Sequence, residues 1–293
     1  MVNNAIERYT DDSGRDIVYG YADEVSIQTN DTLEEWAEAK RLRELRESGP
    51  TRYYVNCYHD TAKLLSETLK VTELGALMKL VPYLRINSGG RLYHKGNRMT
   101  AAAIAGVLGK GKRTTDAILS DLAAHGVLTT ERNGRYVVYG INEHYHSIGK
   151  HVRKTYYTKV YQVKTRTDIA NLTIQAAGLL YKMIPYFNFE YCCLCVNPNE
   201  TDQEKLRYMS HIQLAQLIGV DRKFVDRYTK ELRKYGFISS MLFYEAELYV
   251  INPDVMYRKR DEYTQYAEML RGLFAMGERC ADQVNVKRGD LPY

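Results

Sequence analysis

An internal repeat constrains the fold of this chain more than any other feature, because one sequence pattern occurs in it twice. Residues 75–83 read GALMKLVPY and residues 178–186 read GLLYKMIPY, so Gly, Leu, Lys, Pro and Tyr recur at an offset of 103. After a longer loop in the second copy, the offset becomes 110. The pairs matched at that offset include Met99 with Met209, Ala105 with Ala215, Gly109 with Gly219, Leu122 with Leu232 and Gly126 with Gly236. Two copies, at about 53–142 and 156–252, are therefore expected to share one fold.

The second copy has the clearer pattern of helices and strands. Ser210 followed by Gln213 is a capping box that predicts a helix start, and Gly219 ends that helix. The other predicted elements are, in chain order, a helix before Pro185, a strand at Tyr191–Val196, a third helix at Arg222–Tyr235, and strands at Phe237–Phe243 and Glu247–Ile251.

The first copy repeats this order. Its predicted elements are a helix at Leu77–Leu84, a strand at Arg91–Tyr93, a helix at Ala101–Leu108 capped by Thr100, a helix at Lys112–Ala124, and a hairpin turning at Asn133-Gly134. The order helix, strand, helix, tight turn, helix, hairpin is typical of a helix-turn-helix with a wing. We therefore predict a mainly α fold with small β hairpins, in the α+β class, built from tandem winged helix-turn-helix domains.

The repeat boundaries divide the chain into five predicted segments. They are an acidic N-terminal extension with one helix (1–50), winged-helix domain 1 (51–145), a linker (146–155), winged-helix domain 2 (156–253), and a C-terminal helix and tail (254–293). Thr32 and Glu35 form a capping box that predicts a helix to about Ser48, whereas residues 1–30 show few sustained patterns.

An apolar stripe between Tyr263 and Phe274 predicts a C-terminal helix from Asp254 to about Met276. This helix is expected either to pack on domain 2 or to form the interface of a homodimer.

The charge of the chain is unevenly distributed. Residues 1–50 hold six basic and twelve acidic residues, a net charge of −6, which leaves 35 basic and 24 acidic residues, a net charge of +11, for the rest. A basic body favours a polyanionic partner. No apolar stretch approaches the roughly 20 residues that span a bilayer. Five cysteines that match no disulfide framework indicate a reducing cytoplasm.

The third helix of a helix-turn-helix lies in the major groove, and residues at its N-terminus reach base edges. Arg can bond guanine bidentately, whereas Lys pairs mostly with phosphate. The predicted DNA contacts lie in this helix and the preceding turn of each copy and in the first wing: Lys110, Lys112, Arg113, Thr114, Thr115, Asp116, Ser120, Arg132, Asn133, Arg135, Arg222, Lys223, Asp226, Arg227, Lys230, Arg233 and Lys234. The second wing carries Glu245 and Glu247, which phosphate would repel. Copy two is therefore expected to dock by its helix alone, or to use its wing against protein.

Other chemistry is not favoured by the sequence. The run from Gly106 to Lys112 resembles a P-loop, but Arg113 stands where a Ser or Thr would hold magnesium, and the run lies in a predicted helix and turn. Cys192, Cys193 and Cys195 lack a second ligand pair at zinc spacing and are expected to be buried thiols. We therefore predict neither an enzyme nor a metal or cofactor site.

Each copy resembles the winged helix of replication initiators from Gram-positive plasmids and phages, the RepL-like group. The similar elements are the aromatic strand Tyr156–Tyr161, the helix with Ala215 and Gly219, the run from Leu232 to Gly236-Phe-Ile, and the wing closing at Tyr249-Val-Ile-Asn252-Pro253. The tandem layout is similar to that of two-winged-helix plasmid initiators. Two copies stand where the RepL-like group has one, and no tryptophan follows Pro253.

The expected function is sequence-specific binding of double-stranded DNA at direct or inverted repeats about one helical turn apart. The resemblance implies a plasmid or phage replication initiator in the cytoplasm, associated with the nucleoid. The alternatives are a transcription regulator of a phage or plasmid, which would repress or activate, and a protein-interaction adaptor. A homodimer and host replication or transcription proteins are further candidate partners, and no membrane association is expected.

Overall fold

The computed structural model describes residues 7–10, 16–19, 36–37, 40, 44, 52–149, 151–243, 246–259 and 262–289. The chain divides into two compact units, residues 1–50 and residues 51–293. In the first unit, strands β1 (Glu7–Thr10) and β2 (Asp16–Tyr19) pair as an antiparallel hairpin, although the sequence there shows few sustained patterns. The predicted helix at Thr32–Ser48 lies outside the described residues except at positions 36, 37, 40 and 44, which are helical.

The second unit holds both copies of the repeat, and their elements follow the same order apart from two short strands that, among the described residues, occur in copy one alone. In copy one these are β3 (Tyr54–Tyr58), α1 (His59–Thr68), α2 (Val71–Leu80), β4 (Tyr93–His94), β5 (Asn97–Arg98), α3 (Ala101–Leu108), α4 (Lys112–Ala124), β6 (Leu128–Asn133), β7 (Tyr136–Ile141) and β8 (His146–Ile148). In copy two they are β9 (Tyr157–Tyr161), α5 (Gln162–Ile169), α6 (Ile174–Met183), α7 (His211–Ile218), α8 (Arg222–Lys234), β10 (Ile238–Phe243), β11 (Ala246–Ile251) and β12 (Met256–Tyr257). Helix α9 (Gln265–Gly289) follows.

The helix ends follow the local signals in the sequence. The side chain of Thr100 caps α3, and Ser210 with Gln213 forms the predicted capping box at the start of α7. Gly109 and Gly219 end these two helices at φ angles of 61° and 66°, in the left-handed region that glycine adopts without strain. The predicted bounds of α3 and α4 are confirmed, and α8 ends one residue before its predicted end.

The two copies share a four-stranded antiparallel sheet with the strand order β12-β9-β3-β8. Its two central strands, β3 and β9, are the first strands of the two copies. Their register is centred on Asn56 and Lys159, which are equivalent positions of the repeat. Tyr54 therefore pairs with Tyr161 as Tyr58 pairs with Tyr157. Each central strand is flanked by the closing strand of its own copy, so the sheet is symmetric about a local two-fold axis.

Helices α2 and α6 cross at glycine, and the crossing obeys the same two-fold symmetry. A Cβ atom on Gly75 would lie 1.8 Å from the carbonyl oxygen of Ile174, and one on Gly178 would lie 2.2 Å from that of Val71. Val71 and Ile174 are equivalent positions in the repeat. Only glycine permits this approach, which explains why the repeat keeps Gly at both sites. The buried apolar side chains of both copies form one continuous core around the crossing.

A buried polar pair occupies one side of the contact between the copies. The Nε2 atom of His146 lies 2.8 Å from the hydroxyl of Tyr181, and both side chains are fully buried. Burial lowers the pKa of His146 to about 3, so its imidazole is neutral in the folded protein at neutral pH. The equivalent positions on the other side are Met256 and Met78, which are also buried.

Residues 254–259 and 262–264 do not form the predicted start of the C-terminal helix. Residues Met256 and Tyr257 instead form β12, because the unpaired edge of β9 offers them a hydrogen-bonded partner. Asp254 accepts hydrogen bonds from Arg52 at 2.6 Å and Arg271 at 2.8 Å, which ties the start of the unit to α9. The helix begins at Gln265 and buries the predicted stripe at Ala267, Leu270 and Phe274. Within the region predicted as a linker, residues 146–148 form β8.

Other local predictions were wrong in detail. The helix predicted at Leu77–Leu84 is Val71–Leu80, and the strand predicted at Arg91–Tyr93 is Tyr93–His94. The run Tyr191–Val196 forms isolated bridges rather than a strand, because Cys192 has a φ of 52° and the side chain of Asn188 turns the chain before it. In the hairpin β6–β7, predicted as the first wing, Asn133 is the last strand residue, and Gly134-Arg135 makes the two-residue turn. Only Gly134 has positive φ there, as in a type II′ turn. Cys192, Cys193 and Cys195 are buried, as predicted.

The fold is mixed α+β with small antiparallel sheets. Among the described helices, none combines the length and the apolarity that crossing a bilayer would require.

The glycine crossing makes a stability prediction. Gly178→Ala is expected to lower the free energy of unfolding by about 3 kcal/mol or more, because the new methyl group would clash with backbone that cannot move independently. The control is Gly106→Ala in α3, where an added Cβ meets nothing within 4 Å. It is expected to leave stability unchanged or raise it by up to about 1 kcal/mol. Urea denaturation measures the free energy of unfolding of both variants. Equal values for the two would contradict the close contact of the helices at Gly178.

The buried His146 is expected to make the stability of the protein depend on pH. An unfolded histidine titrates near pH 6.5, so the unfolded state binds this proton before the folded state as the pH falls. The stabilisation from this group is therefore complete above about pH 6.5 and is lost progressively towards pH 3. Its loss is about 1.4 kcal/mol per pH unit, and His146→Gln removes that slope from urea denaturation curves recorded between about pH 6 and pH 4. The exposed His125→Gln serves as control, and an unchanged slope in His146→Gln would refute the assignment.

Candidate nucleic-acid interface

Helix α4, the predicted recognition helix of copy one, presents a polar face to solvent. It follows the turn at Gly109–Gly111 and buries Ile118, Leu119 and Leu122 against the rest of its copy. The predicted contact residues that are exposed on it and its turn are Lys110, Lys112, Arg113, Thr114, Asp116 and Ser120. Thr115, which the sequence placed with them, is buried, and its hydroxyl donates to the carbonyl of Gly111 at 3.1 Å. That side chain therefore fixes the first turn of α4 and does not face a ligand.

Helix α8 presents the equivalent face in copy two. The carboxylate of Asp221 caps its start by accepting from the backbone N–H of Lys223 at 2.6 Å. Val225, Thr229 and Leu232 are buried. The predicted contact residues that remain fully exposed are Arg222, Lys223, Arg227, Lys230 and Lys234, whereas Asp226 and Arg233 are half-buried.

The two helices differ strongly in charge. Helix α8 carries six basic and two acidic residues, a net charge of +4, whereas α4 carries two of each and is neutral. Arg222 pairs with Asp226 at 3.7 Å, and Arg233 donates to the hydroxyl of Ser240 at 2.8 Å. Because the side chain of Arg222 is exposed and that of Asp226 only half-buried, this pair contributes little to stability, and Arg222 can exchange Asp226 for another anion.

The first wing adds cations beside α4. Arg132 and Asn133 are exposed on β6, and the guanidinium of Arg135 in the turn stacks over the ring of Tyr136 at 4.9 Å. Glu131, on the same strand, is paired with Arg91 and Arg98. Hydrogen bonds from Arg98, which has the larger effect, and from Arg91 lower the pKa of Glu131 to about 2, so the carboxylate stays ionised and paired.

The sequence did not single out Arg91 and Arg98, which lie on the segments joining α2 to α3. They reach the first wing only because the chain folds back beside β6, and no spacing of residues in the sequence predicts this contact. In the second wing, Glu245 lies outside the described residues, as does the side chain of Glu247.

Each predicted recognition helix is anchored to the first helix pair of its own copy by an acidic residue. Glu231 of α8 accepts from the backbone N–H of Thr173 at 2.5 Å and from its hydroxyl at 2.9 Å. The equivalent residue Asp121 of α4 lies 3.9 Å from the ammonium of Lys70. Because Thr173 precedes the crossing helix α6, its hydrogen bonds hold α8 to the symmetric centre of the unit, whereas the exposed Lys70–Asp121 ion pair makes only a weak equivalent contact for α4.

The chain was compared with protein-family models, with curated proteins and with solved structures, and nothing in any of the three matches it.

Proposed function

We propose that this protein binds double-stranded DNA through two winged-helix modules, with α4 and α8 in neighbouring major-groove segments on one face of the duplex. The observation that carries the proposal is the pair of exposed helix faces at equivalent positions of two copies related by a local two-fold axis. Dimeric helix-turn-helix proteins present two recognition helices by the same kind of self-complementary contact, about one helical turn apart. Here one chain supplies both helices.

The two half-sites would differ in sequence. Equivalent outward positions of α4 and α8 carry different residues, such as Ala117 and Arg227, or Ser120 and Lys230. A protein with a symmetric frame and unlike recognition helices reads two unlike half-sites in a fixed order. The target would therefore be a bipartite, non-palindromic sequence occupied by one chain.

The two copies would also contact the DNA in different ways. The +4 charge of α8 suits phosphate contacts and bidentate guanine recognition by its arginines. The neutral α4 would depend more on its wing, where Arg132 and Arg135 can reach the phosphates or the minor groove. Affinity should come largely from phosphate contacts and should fall steeply as salt rises.

For the biological role, we propose replication initiation on a plasmid or phage, on the strength of the resemblance to RepL-like and two-winged-helix initiators. Such a protein would bind iterated sites beside an AT-rich segment, in the cytoplasm with the nucleoid, and would recruit host replication proteins. A map of purified protein on fragmented host, plasmid and phage DNA separates the roles. One cluster of sites beside an AT-rich stretch supports initiation, whereas sites scattered over several promoters support a transcription regulator. No enrichment favours the protein-interaction adaptor.

Reversing the charge at the start of α8 tests the DNA interface. Arg222→Glu combined with Lys223→Glu is expected to weaken binding to the selected duplex by at least about tenfold, because two phosphate or base contacts become repulsive. The slope of log K against log salt concentration should flatten by about 2, measured by fluorescence anisotropy across a salt series.

The matched control makes the same charge change elsewhere on copy two, with Lys205→Glu combined with Arg207→Glu. Both residues are exposed and lie in the loop before α7, outside the proposed interface. This pair is expected to keep affinity within about threefold of wild type, the effect of a distant screened charge. Equal losses in the two variants would show only a general attraction to polyanions. Unchanged affinity in the α8 variant would remove that helix from the interface.

A further inference from the structure

A cleft of about 630 Å³ lies between the two copies, beside the turn that leads into α4. One wall is the end of α3 and its turn, from Gly106 to Lys110, and the other is the segment from Ile169 to Gln175 that ends α5 and begins α6. Lys79 of α2 also lines the cleft. The local two-fold axis relates it to a smaller cleft of about 430 Å³, which is lined by the equivalent Lys182.

The two equivalent lysines differ in their partners. The ammonium of Lys182 donates to the carbonyl oxygen of Ser66 at 2.5 Å and to that of Ile218 at 3.0 Å, so its charge is hydrogen-bonded. The residues equivalent to these are Ile169 and Leu108, and both line the larger cleft. Lys79 is only 4% exposed, yet within the described part of the chain it makes no hydrogen bond. Its ammonium is not sealed from solvent but opens onto the cleft, where a bound anion would pair with it.

The charges around the larger cleft also favour an anion. Its lining residues include Lys79 and Lys110 and no carboxylate. Lys182 in the smaller cleft has Glu67 nearby, whereas the equivalent residue beside Lys79 is Ala170. Glu231 acts on Lys79 from a greater distance, but its carboxylate is already held by Thr173.

The start of α6 also borders the cleft, with the carboxylate of Glu231 already bound at its N-cap, Thr173. Ile174 and Gln175 line the cleft at the first turn of this helix, where backbone N–H groups have no intrahelical acceptor. Apolar side chains, among them Val107 and Leu172, line much of the remaining surface. A volume of about 630 Å³ lies within the range of small-molecule sites.

We propose that this cleft binds a small organic anion, whose carboxylate or phosphate head group accepts hydrogen bonds from Lys79 while its apolar body lies against the α3 wall. Of the two symmetry-related clefts only the one at Lys79 is proposed to bind the anion, since the ammonium of Lys182 in the smaller cleft already donates to two carbonyls.

Ligand binding here would couple to both predicted recognition helices, a consequence that rests on the proposed DNA-binding function. Lys110 belongs to the turn before α4, and Thr173 donates two hydrogen bonds to Glu231 of α8. A molecule that joins these two walls would fix the spacing between α4 and α8. Its differential affinity for the DNA-bound and free proteins would then appear as a shift in DNA affinity.

Calorimetric titration of the full chain with benzoate and with phenyl phosphate tests the site, with benzyl alcohol as the neutral probe of similar size. Saturable binding of at least one anion, and none of the alcohol, is the expected result; the preferred anion identifies the head group as carboxylate or phosphate. Lys79→Met should weaken the binding at least tenfold, and Lys182→Met should leave it within twofold of wild type. Gly106→Leu, which projects a side chain from an open position on the α3 wall, should also weaken it.

Absence of saturable binding by either anion at about 10 mM, an order of magnitude above the Kd of about 1 mM that ligands of this size can reach, would overturn the proposal. Equal binding by Lys79→Met and wild type would overturn it as well. Urea denaturation gives a separate readout, because Lys79→Met should be as stable as wild type or more stable, whereas Lys182→Met strands two carbonyls and should be less stable. Failure of the protein to bind any DNA would refute the proposed function and leave the titration result standing.

Discussion

The close contact between α2 and α6 at Gly75 and Gly178 is the constraint on which the rest of this structure depends. Because a side chain at either position would collide with the opposite backbone, the two copies can meet at this distance only with glycine at both. The contact is self-complementary, as is the pairing of β3 with β9, so one local two-fold axis orders both the helical layer and the sheet. Two duplicated segments of one chain thereby make the kind of interface that two identical subunits make in a dimer.

A symmetric frame with unlike surfaces is the main physical theme of this molecule. The frame residues are kept in both copies, as the glycines and the buried Lys79 and Lys182 show. The outward residues have diverged, so α8 carries a net charge of +4 and α4 none. The same divergence distinguishes the two clefts, where Glu67 in one corresponds to Ala170 in the other. A homodimer would have to present identical helices and identical clefts, and duplication within one chain removes that restriction.

Local elements were predictable from the sequence because their signals are local. Thr100, Ser210 and the two glycines after α3 and α7 fix helix ends through their own backbone and side-chain geometry, and the structure has those ends where the sequence placed them. The closing strands β8 and β12 were not predictable. They are short, and each forms only because the central strand of its own copy, β3 or β9, has one edge that does not pair with the other central strand.

The candidate site shows the same division between local and non-local information. The outward face of each predicted recognition helix follows from helical spacing, and of the predicted residues on these helices only Thr115 is buried. The position of Arg91 and Arg98 on Glu131, and the open cleft at Lys79, depend on contacts between segments far apart in the chain. The repeat did carry one hint, since a lysine kept twice within an apolar run is a buried charge that needs a partner.

We propose that one chain presents two different DNA-reading helices in a fixed two-fold arrangement. Selection of bound duplexes from a random-sequence library, followed by measurement of the chain-to-DNA ratio, tests it most directly. The expected result is a bipartite motif of two unlike half-sites, with their centres about one helical turn apart and one chain bound to each site. Enrichment of a single short motif, or of a palindrome that binds two chains, would contradict it.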